Sequence, residues 1–257
     1  MRAPAKIEPS SRGSRRDPDA SRRAIFTAAL AEFAEQGLAG ARMEAIADAA
    51  GVNKALLYYY FRSKDALYGA VLDEFFVHLR ARIAEALDSH SRPGQKILHY
   101  AQAHFDSVAE SPYYARLFLG EMMSAGRNGS PHISRIVAEY ISPIAQKVMA
   151  VLREGIASGE FRDVDPTQFA PTVAASIVHY FAVSPVLRHL RGEDPYTPQA
   201  IAKRRAAVLD FIAAALFVDR EAGIKLAADI ATTETHLEAE TQATQTSLRR
   251  RSRGRTA

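Results

Sequence analysis

Five prolines, Pro93, Pro112, Pro131, Pro166 and Pro198, each stand where an amphipathic segment begins. Proline suits the first turn of a helix, where its missing N–H would have had no partner. Between these marks apolar residues recur at three- and four-residue spacing, and the alternation of a strand is nowhere sustained. The chain is thereby constrained to an all-α fold. The spacing predicts helices over 21–36, 42–50, 53–61, 64–87, 93–110, 112–124, 131–158, 166–190 and 198–217. Ile25, Ala29 and Phe33 form the inner stripe of the first, and Met43, Ile46, Ala47 and Ala50 that of the second. Gly37 and Gly51 end these two helices. Pro143, Pro171 and Pro185 fall inside later ones, where a kink is expected.

A length of 257 residues with 47% hydrophobic content fits one large domain or two small ones with a packed core. With no cysteine there is no disulfide, no thiolate metal site and no cysteine nucleophile. The N-terminus lacks the apolar segment of a signal peptide, and no apolar run approaches the roughly 20 residues of a membrane span. A soluble cytoplasmic protein without a membrane partner is expected. The net charge of +4 is modest, but arginines crowd both ends: Arg12, Arg15, Arg16, Arg22 and Arg23 at one, "SLRRRSRGRTA" at the other. Basic arms attract polyanions, nucleic acid foremost. For the C-terminal run a purely solubilising role stands equally open. Residues 1–20 read as a disordered basic arm, and 218–257 as a polar tail, disordered or loosely helical, with a basic end.

The most informative stretch is "AAGVNKALLYYYFRSKDAL", residues 49–67. Two short helices joined by a tight glycine turn make a helix-turn-helix, whose second helix enters the DNA major groove. At 100° per residue, Leu57 and Phe61 share one face and belong to the core with Val52. Ala55 and Tyr59 point to the opposite side, Leu56 and Tyr60 lie on one flank, and Tyr58 on the other. The tyrosines therefore cannot all be core. A phenol ring packs on thymine methyls or sugars, and its hydroxyl donates to a phosphate. Asn53 is placed to cap the helix near the DNA backbone, and Lys54, Arg62 and Lys64 supply positive charge. An ordinary half-buried aromatic stripe is the plainer reading for one tyrosine, but not for this combination.

The segment "RMEAIADAAGVNKALLYYYFRSKDALYGAVL" closely resembles the DNA-binding domain of TetR-family transcription regulators, over about residues 21–70. A weaker likeness lies at "SGEFRDVDP", which resembles the family's joint before its dimerisation helices. The resemblance implies that Lys54, Ala55, Leu56, Tyr58, Tyr59 and Tyr60 fall where the family contacts DNA. It implies a phosphate-binding role for Lys64 and a second DNA contact at Arg42. The chain departs from the pattern at Leu56, where a small hydroxyl residue is usual, so base reading there would be apolar. It departs again at Ala41 and Arg42, where Thr or Ser commonly caps the second helix.

The resemblance further implies that residues 68–217 form a larger helical domain with a small-molecule pocket and a homodimer interface made by its last two helices. Residues compatible with ligand contact are Tyr100 and His104 at i, i+4, Phe118, Met122 and Met123 in "FLGEMMSAG", and Tyr140, His179 and Tyr180. Plain core packing competes for each. For the interface, Ala174, Ile177, Val178 and Phe181 form one stripe and Val208, Phe211, Ile212 and Ala215 another. Burial of both helices within one subunit is the competing reading.

An enzyme has little support. His99, His104 and Asp106 lie close in sequence, but their spacing does not bring two metal ligands onto one helical face. There is no His-Glu-x-x-His, Gly-rich phosphate loop or Gly-x-Ser-x-Gly, and no cofactor is expected. A structural DNA-binding protein with a filled core is the second alternative. The favoured expectation is a homodimeric repressor that reads double-stranded operator DNA and is released by a small molecule.

Overall fold

The computed structural model describes residues 18–128 and 130–232, the side chains at 112, 124–128 and 131 excepted. Helices follow one another as α1 (Pro18–Gly40), α2 (Met43–Ala50), α3 (Lys54–Tyr60), α4 (Lys64–Leu87), α5 (Pro93–Ala109), α6 (Pro112–Asn128) and α7 (Pro131–Ile136). A π-helical turn (Val137–Ile141) leads into α8 (Ser142–Ala157), then α9 (Pro166–Ala182), α10 (Ser184–Arg191) and α11 (Pro198–Leu216). A further helix, α12, begins at 220 and is helical through 232. The chain divides into two compact units, Met1–Tyr68 and Gly69–Ala257, with the boundary inside α4.

In the first unit, α1 takes in Pro18, Asp19 and Ala20, which the sequence had assigned to the arm. Pro18 fits the first turn of a helix, and Asp19 is favourable at its positive end. Ile25, Ala29 and Phe33 are buried as their spacing requires. Gly37, at φ 65 and ψ 175, leaves the helical path at the residue expected to end it. Phe33 meets Tyr68 edge-on at 5.0 Å between ring centroids, and Phe26 meets Phe61 likewise at 5.5 Å.

The second unit is built around α5, which is buried on nearly every side and packs against α8, α9 and α11. Asp106 of α5 and Arg205 of α11 form an ion pair at 2.7 Å, with side chains only 4% and 5% exposed. The "SGEFRDVDP" joint follows α8. There the Phe161 ring lies over Gly155, and Phe161 and Phe217 make an isolated antiparallel bridge with their rings 5.3 Å apart. Glu160 accepts a hydrogen bond at 3.2 Å from the Gly94 N–H at the start of α5.

The prolines explain where the helices depart from their expected spans. The helix expected over 131–158 carries its π-turn just ahead of Pro143, which removes one i→i−4 bond and crowds the preceding turn. The helix expected over 166–190 breaks at Val183, and α9 and α10 meet at a 62° bend. Pro185 cannot donate to the Phe181 carbonyl, and the Tyr196 hydroxyl donates there instead, at 3.3 Å. α9 continues through Pro171. The largest departure is α12, which lies where a polar tail was expected. Ala227 and Ile230 are buried, and Gln102 of α5 donates to the Ile230 carbonyl at 3.4 Å. Among the described residues no single helix is long and apolar enough to cross a membrane.

A Cβ at Gly155 would stand 2.0 Å from the buried Phe161 ring, whereas one at Gly120 in α6 meets nothing within 4 Å. Gly155→Ala is expected to destabilise by about 1–3 kcal/mol through overpacking. Gly120→Ala is expected to be neutral or stabilising by up to about 1 kcal/mol. Urea denaturation of the two variants checks both signs.

Candidate nucleic-acid interface

The turn between α2 and α3 is fixed by its backbone. Gly51 adopts φ 64, ψ 31, and the last carbonyls of α2 are taken by Val52 N–H to Ala47 (3.0 Å) and Gly51 N–H to Asp48 (3.1 Å). These two bonds are a Schellman closure, and the left-handed conformation at its centre favours glycine. The chain then enters α3 through Asn53, whose side-chain oxygen accepts the Leu56 N–H at 2.7 Å. Such a cap stabilises a helix start by about 1 kcal/mol. α2 has no side-chain cap, since Arg42 at that position makes no such bond. Its backbone N–H donates instead to Glu32 of α1 at 3.0 Å.

Burial orients α3. Leu57 is fully buried and is backed by buried Val52 and Phe61. Tyr59 is 80% exposed and Tyr58 41% exposed, while Leu56 and Tyr60 are half-buried on the flank and Ala55 is exposed. The Tyr59 and Tyr60 rings meet edge-on at 5.6 Å. The result is an outward face of Ala55, Tyr58 and Tyr59 carried on a short helix that is anchored from behind.

The cations of this unit are more engaged than their sequence positions indicate. Lys54 forms a salt bridge with Glu44 of α2 and stands over the Tyr58 ring at 5.8 Å. The hydrogen bond from Lys54 holds the Glu44 carboxyl below the usual carboxylate range and raises the Lys54 ammonium in turn. Lys64 donates to the carbonyls of Ala39 (3.0 Å) and Ala41 (2.9 Å). It thus ties the start of α4 to the α1–α2 turn and keeps one of its three N–H donors for another acceptor. Ser63 caps α4 by accepting the Ala66 N–H at 3.0 Å. Glu44 was not singled out from the sequence, although an acidic residue in the first turn of α2 was a visible signal.

The residues named for ligand contact do not line one site. Tyr100 and His104 are buried side by side on α5, with rings 5.9 Å apart. Phe118 and Tyr140 both pack on Phe76 of α4, and the Tyr140 hydroxyl lies 3.4 Å from Asp73, which Arg135 also engages. Tyr180 donates to the Pro195 carbonyl at 3.3 Å beneath the Arg204 guanidinium. Met122, Met123 and His179 are exposed.

The dimer set also divides. Ile177, Phe181, Val208 and Ile212 are buried in the subunit's own core, because their faces of α9 and α11 turn toward α5. Phe211 is 58% exposed, and Ala174, Val178 and Ala215 are half-buried. The Asp106–Arg205 pair was missed altogether. Its signal was Arg205 standing at i, i+3, i+4 and i+7 from Val208, Leu209 and Ile212, a charge on an otherwise buried stripe.

Comparison with known proteins accords with this geometry. A model described as "Bacterial regulatory proteins, tetR family" matches residues 25–71, and one described as "Tetracyclin repressor-like, C-terminal domain" matches 93–212. The HTH-type transcriptional repressor SCO4008 of Streptomyces coelicolor is 32% identical over 175 residues, covering 68% of this chain and 85% of that protein. The HTH-type transcriptional regulator RutR of Escherichia coli is 31% identical over 173 residues, covering 67% of this chain and 79% of that protein. Among solved structures, the ketosteroid transcriptional regulator KstR2 of Mycobacterium tuberculosis superposes with a TM-score of 0.65. It is 23% identical and covers 77% of this chain and 95% of that one, a likeness of fold.

Burial also sets a titration. With its ring buried, His104 takes up a proton only near a pKa of about 4, against the usual 6.5. Between those values the unfolded chain binds more protons than the folded one, so stability falls as pH drops from about 6.5 to about 4 and levels off below. At about 1.4 kcal/mol per unit, the loss across the window is roughly 3–4 kcal/mol. His104→Leu is expected to lack that component, which parallel urea titrations at pH 7 and pH 4.5 would show.

Proposed function

Since the chain belongs to the TetR family of DNA-binding transcriptional regulators, we propose that it is a homodimeric repressor released from its operator by a small molecule. The observation that carries the DNA-reading part is the exposed tyrosine face of α3, held rigid by the Gly51 turn and the Asn53 cap. Exposed aromatic surface on an anchored recognition helix is costly without a partner, and the major groove supplies thymine methyls and phosphates for it. Ala55, Leu56 and Tyr59 are assigned to base edges. Lys54, Tyr58 and Tyr60 are assigned to the backbone, with Lys54 exchanging Glu44 for a phosphate. Asn53, Arg42 and the remaining donor of Lys64 flank the same face as backbone contacts. The arm with Arg12, Arg15 and Arg16 lies outside the described residues and is assigned to the adjacent minor groove. A regulator of this kind acts where bacterial DNA is, in the cytoplasm.

The dimer is assigned to the outward faces of α9 and α11, which keep Ala174, Val178, Phe211 and Ala215 from the expected set and add Ala175, Ala207 and Ala214. Small residues let two helices approach closely, and Phe211 supplies the apolar anchor. Two-fold symmetry then repeats α3 at successive major grooves. Release requires a ligand that binds the DNA-incompetent state more tightly than the competent one. SCO4008 and the KstR2 of Mycolicibacterium smegmatis are named as repressors, which supports that sign of regulation, whereas FasR of the same organism is named as an activator.

Tyr59→Ala is expected to weaken operator binding by tenfold or more while changing stability by less than about 0.5 kcal/mol, as for other exposed sites. Leu57→Ala is expected to cost about 2–5 kcal/mol of stability. Fluorescence anisotropy and urea melts on both variants separate the two roles, and a Tyr59→Ala protein that binds normally would remove α3's outer face from the interface. Deleting residues 1–17, which stops short of α1, is expected to weaken binding and flatten its salt dependence. Phe211→Glu is expected to yield a folded monomer by sedimentation at micromolar concentration. A persistent dimer would place the interface elsewhere.

A further inference from the structure

Many buried polar side chains of the second unit can be followed to their partners. Gln102 reaches the Ile230 carbonyl at 3.4 Å, and Ser107 the Ala103 carbonyl at 2.7 Å. Asp106 and Arg205 neutralise each other at 2.7 Å. Ser184 accepts from Tyr196 at 3.1 Å, Tyr180 donates to the Pro195 carbonyl and Tyr140 to Asp73. Glu121 is bonded by the Ser130 hydroxyl. Tyr100 and His104, neighbours on α5, enter no such bond among the described residues. Tyr100 is 4% exposed and His104 9% exposed, one helical turn from each other with rings 5.9 Å apart. Among the described residues the buried Nδ1 atom of His104 has no hydrogen-bond partner. Burial alone displaces both titrations, raising that of Tyr100 and lowering that of His104, with no charge or hydrogen bond contributing.

An unpaired buried polar group destabilises the fold, so the His104 Nδ1 atom, beside the Tyr100 phenol on the central helix, is a standing cost. Such costs are retained where a function uses the group. A phenol and a neutral imidazole at this separation offer one donor and one group that either donates or accepts, according to its tautomer. A hydroxyl can donate to Nδ1 while accepting from the phenol, and a carbonyl oxygen can accept from both. No charged neighbour contributes to the displacement of either titration, so the immediate surroundings of the pair supply no counter-charge. An ionised ligand group here would be desolvated without compensation.

We propose that Tyr100 and His104 are the polar recognition pair of the regulatory site, and that its ligand is an uncharged, largely apolar molecule presenting a hydroxyl or carbonyl oxygen to them. This rests on the ligand-responsive reading above and specifies its chemistry. Phe118, Tyr140 and Tyr180, whose polar atoms are already satisfied or which lie on other clusters, are thereby left to packing.

The test uses the full chain and thermal shift against a panel of one- to four-ring hydrocarbons, each skeleton supplied as alcohol, ketone, carboxylate and primary amine. Alcohols or ketones of a fitting skeleton are expected to raise the Tm, and their carboxylate and amine counterparts to leave it unchanged. His104→Leu and Tyr100→Phe are each expected to weaken that binding roughly tenfold, the worth of a hydrogen bond to a buried group. Ligand-free His104→Leu is expected to melt at or a few degrees above the wild-type temperature, because an unsatisfied polar group has been removed, and ligand-free Tyr100→Phe at about the wild-type temperature. Stabilisation by the charged members, shifts that survive both substitutions, or a panel in which nothing stabilises would overturn the proposal. A clear fall in the Tm of the ligand-free variants would do so as well, since it would make the pair structural. Failure of the regulator reading is distinguishable. It would show as absence of sequence-specific DNA binding by the wild type, whatever the panel gives.

Discussion

One left-handed residue governs the DNA-facing end of this protein. Gly51 closes α2 by giving its last carbonyls to the turn, and in doing so sets the angle at which the chain re-enters helix at Asn53. α3 has only seven residues, too few to be stable alone. Its existence depends on the turn before it, on the Asn53 cap and on Leu57 buried behind it. Lys64 reinforces the arrangement by joining α4 to the carbonyls of Ala39 and Ala41. The turn, the cap and Leu57 act on the start and the inner side of α3, and the outer side is left to Tyr58 and Tyr59. A rigid mount with an exposed aromatic face is what base reading requires, because an interface pre-organised before contact loses less entropy on binding.

The second unit solves a different problem. Its central helix is covered on nearly all sides and must still accommodate charge and polarity. Asp106 finds Arg205 from 99 residues further along the chain. Gln102 is satisfied by α12, a helix that closes over the core after the Phe161–Phe217 bridge. That bridge depends on glycines at 94, 155 and 223, where a Cβ would collide with Glu160, Phe161 or Phe217. A buried ion pair is weak evidence for stability taken alone, since desolvation offsets much of its Coulomb energy. Its clearer consequence is local neutrality: the carboxylate and the guanidinium cancel each other inside the core.

Much of this was legible in the sequence where the signal was local. Periodicity gave the buried faces of α1, α2 and α3, and glycine and asparagine marked the turn and the cap within two residues of where they act. Proline positions located most helix starts, and the break at Val183 follows from Pro185. What resisted reading was tertiary. α9 and α11 are apolar on several faces, so spacing alone could not tell that Ile177, Phe181, Val208 and Ile212 turn inward while Phe211 turns out. Lys54 and Lys64 were read as free charges, because the acceptors that engage them lie ten or more residues away. α12 was obscured by the Thr-rich stretch beside it, although Gly223, Ala227 and Ile230 recur at i, i+4 and i+7.

The claim on which the rest turns is that two copies of α3 read a symmetric DNA sequence. Selection of bound duplexes from random DNA by the full chain, carried out at two salt concentrations, addresses it most directly. The expected result is an enriched palindrome, with half-sites about one helical turn apart, that persists at the higher salt. Binding without an enriched motif, lost at the higher salt, would contradict it and leave only a basic surface with general affinity for polyanions.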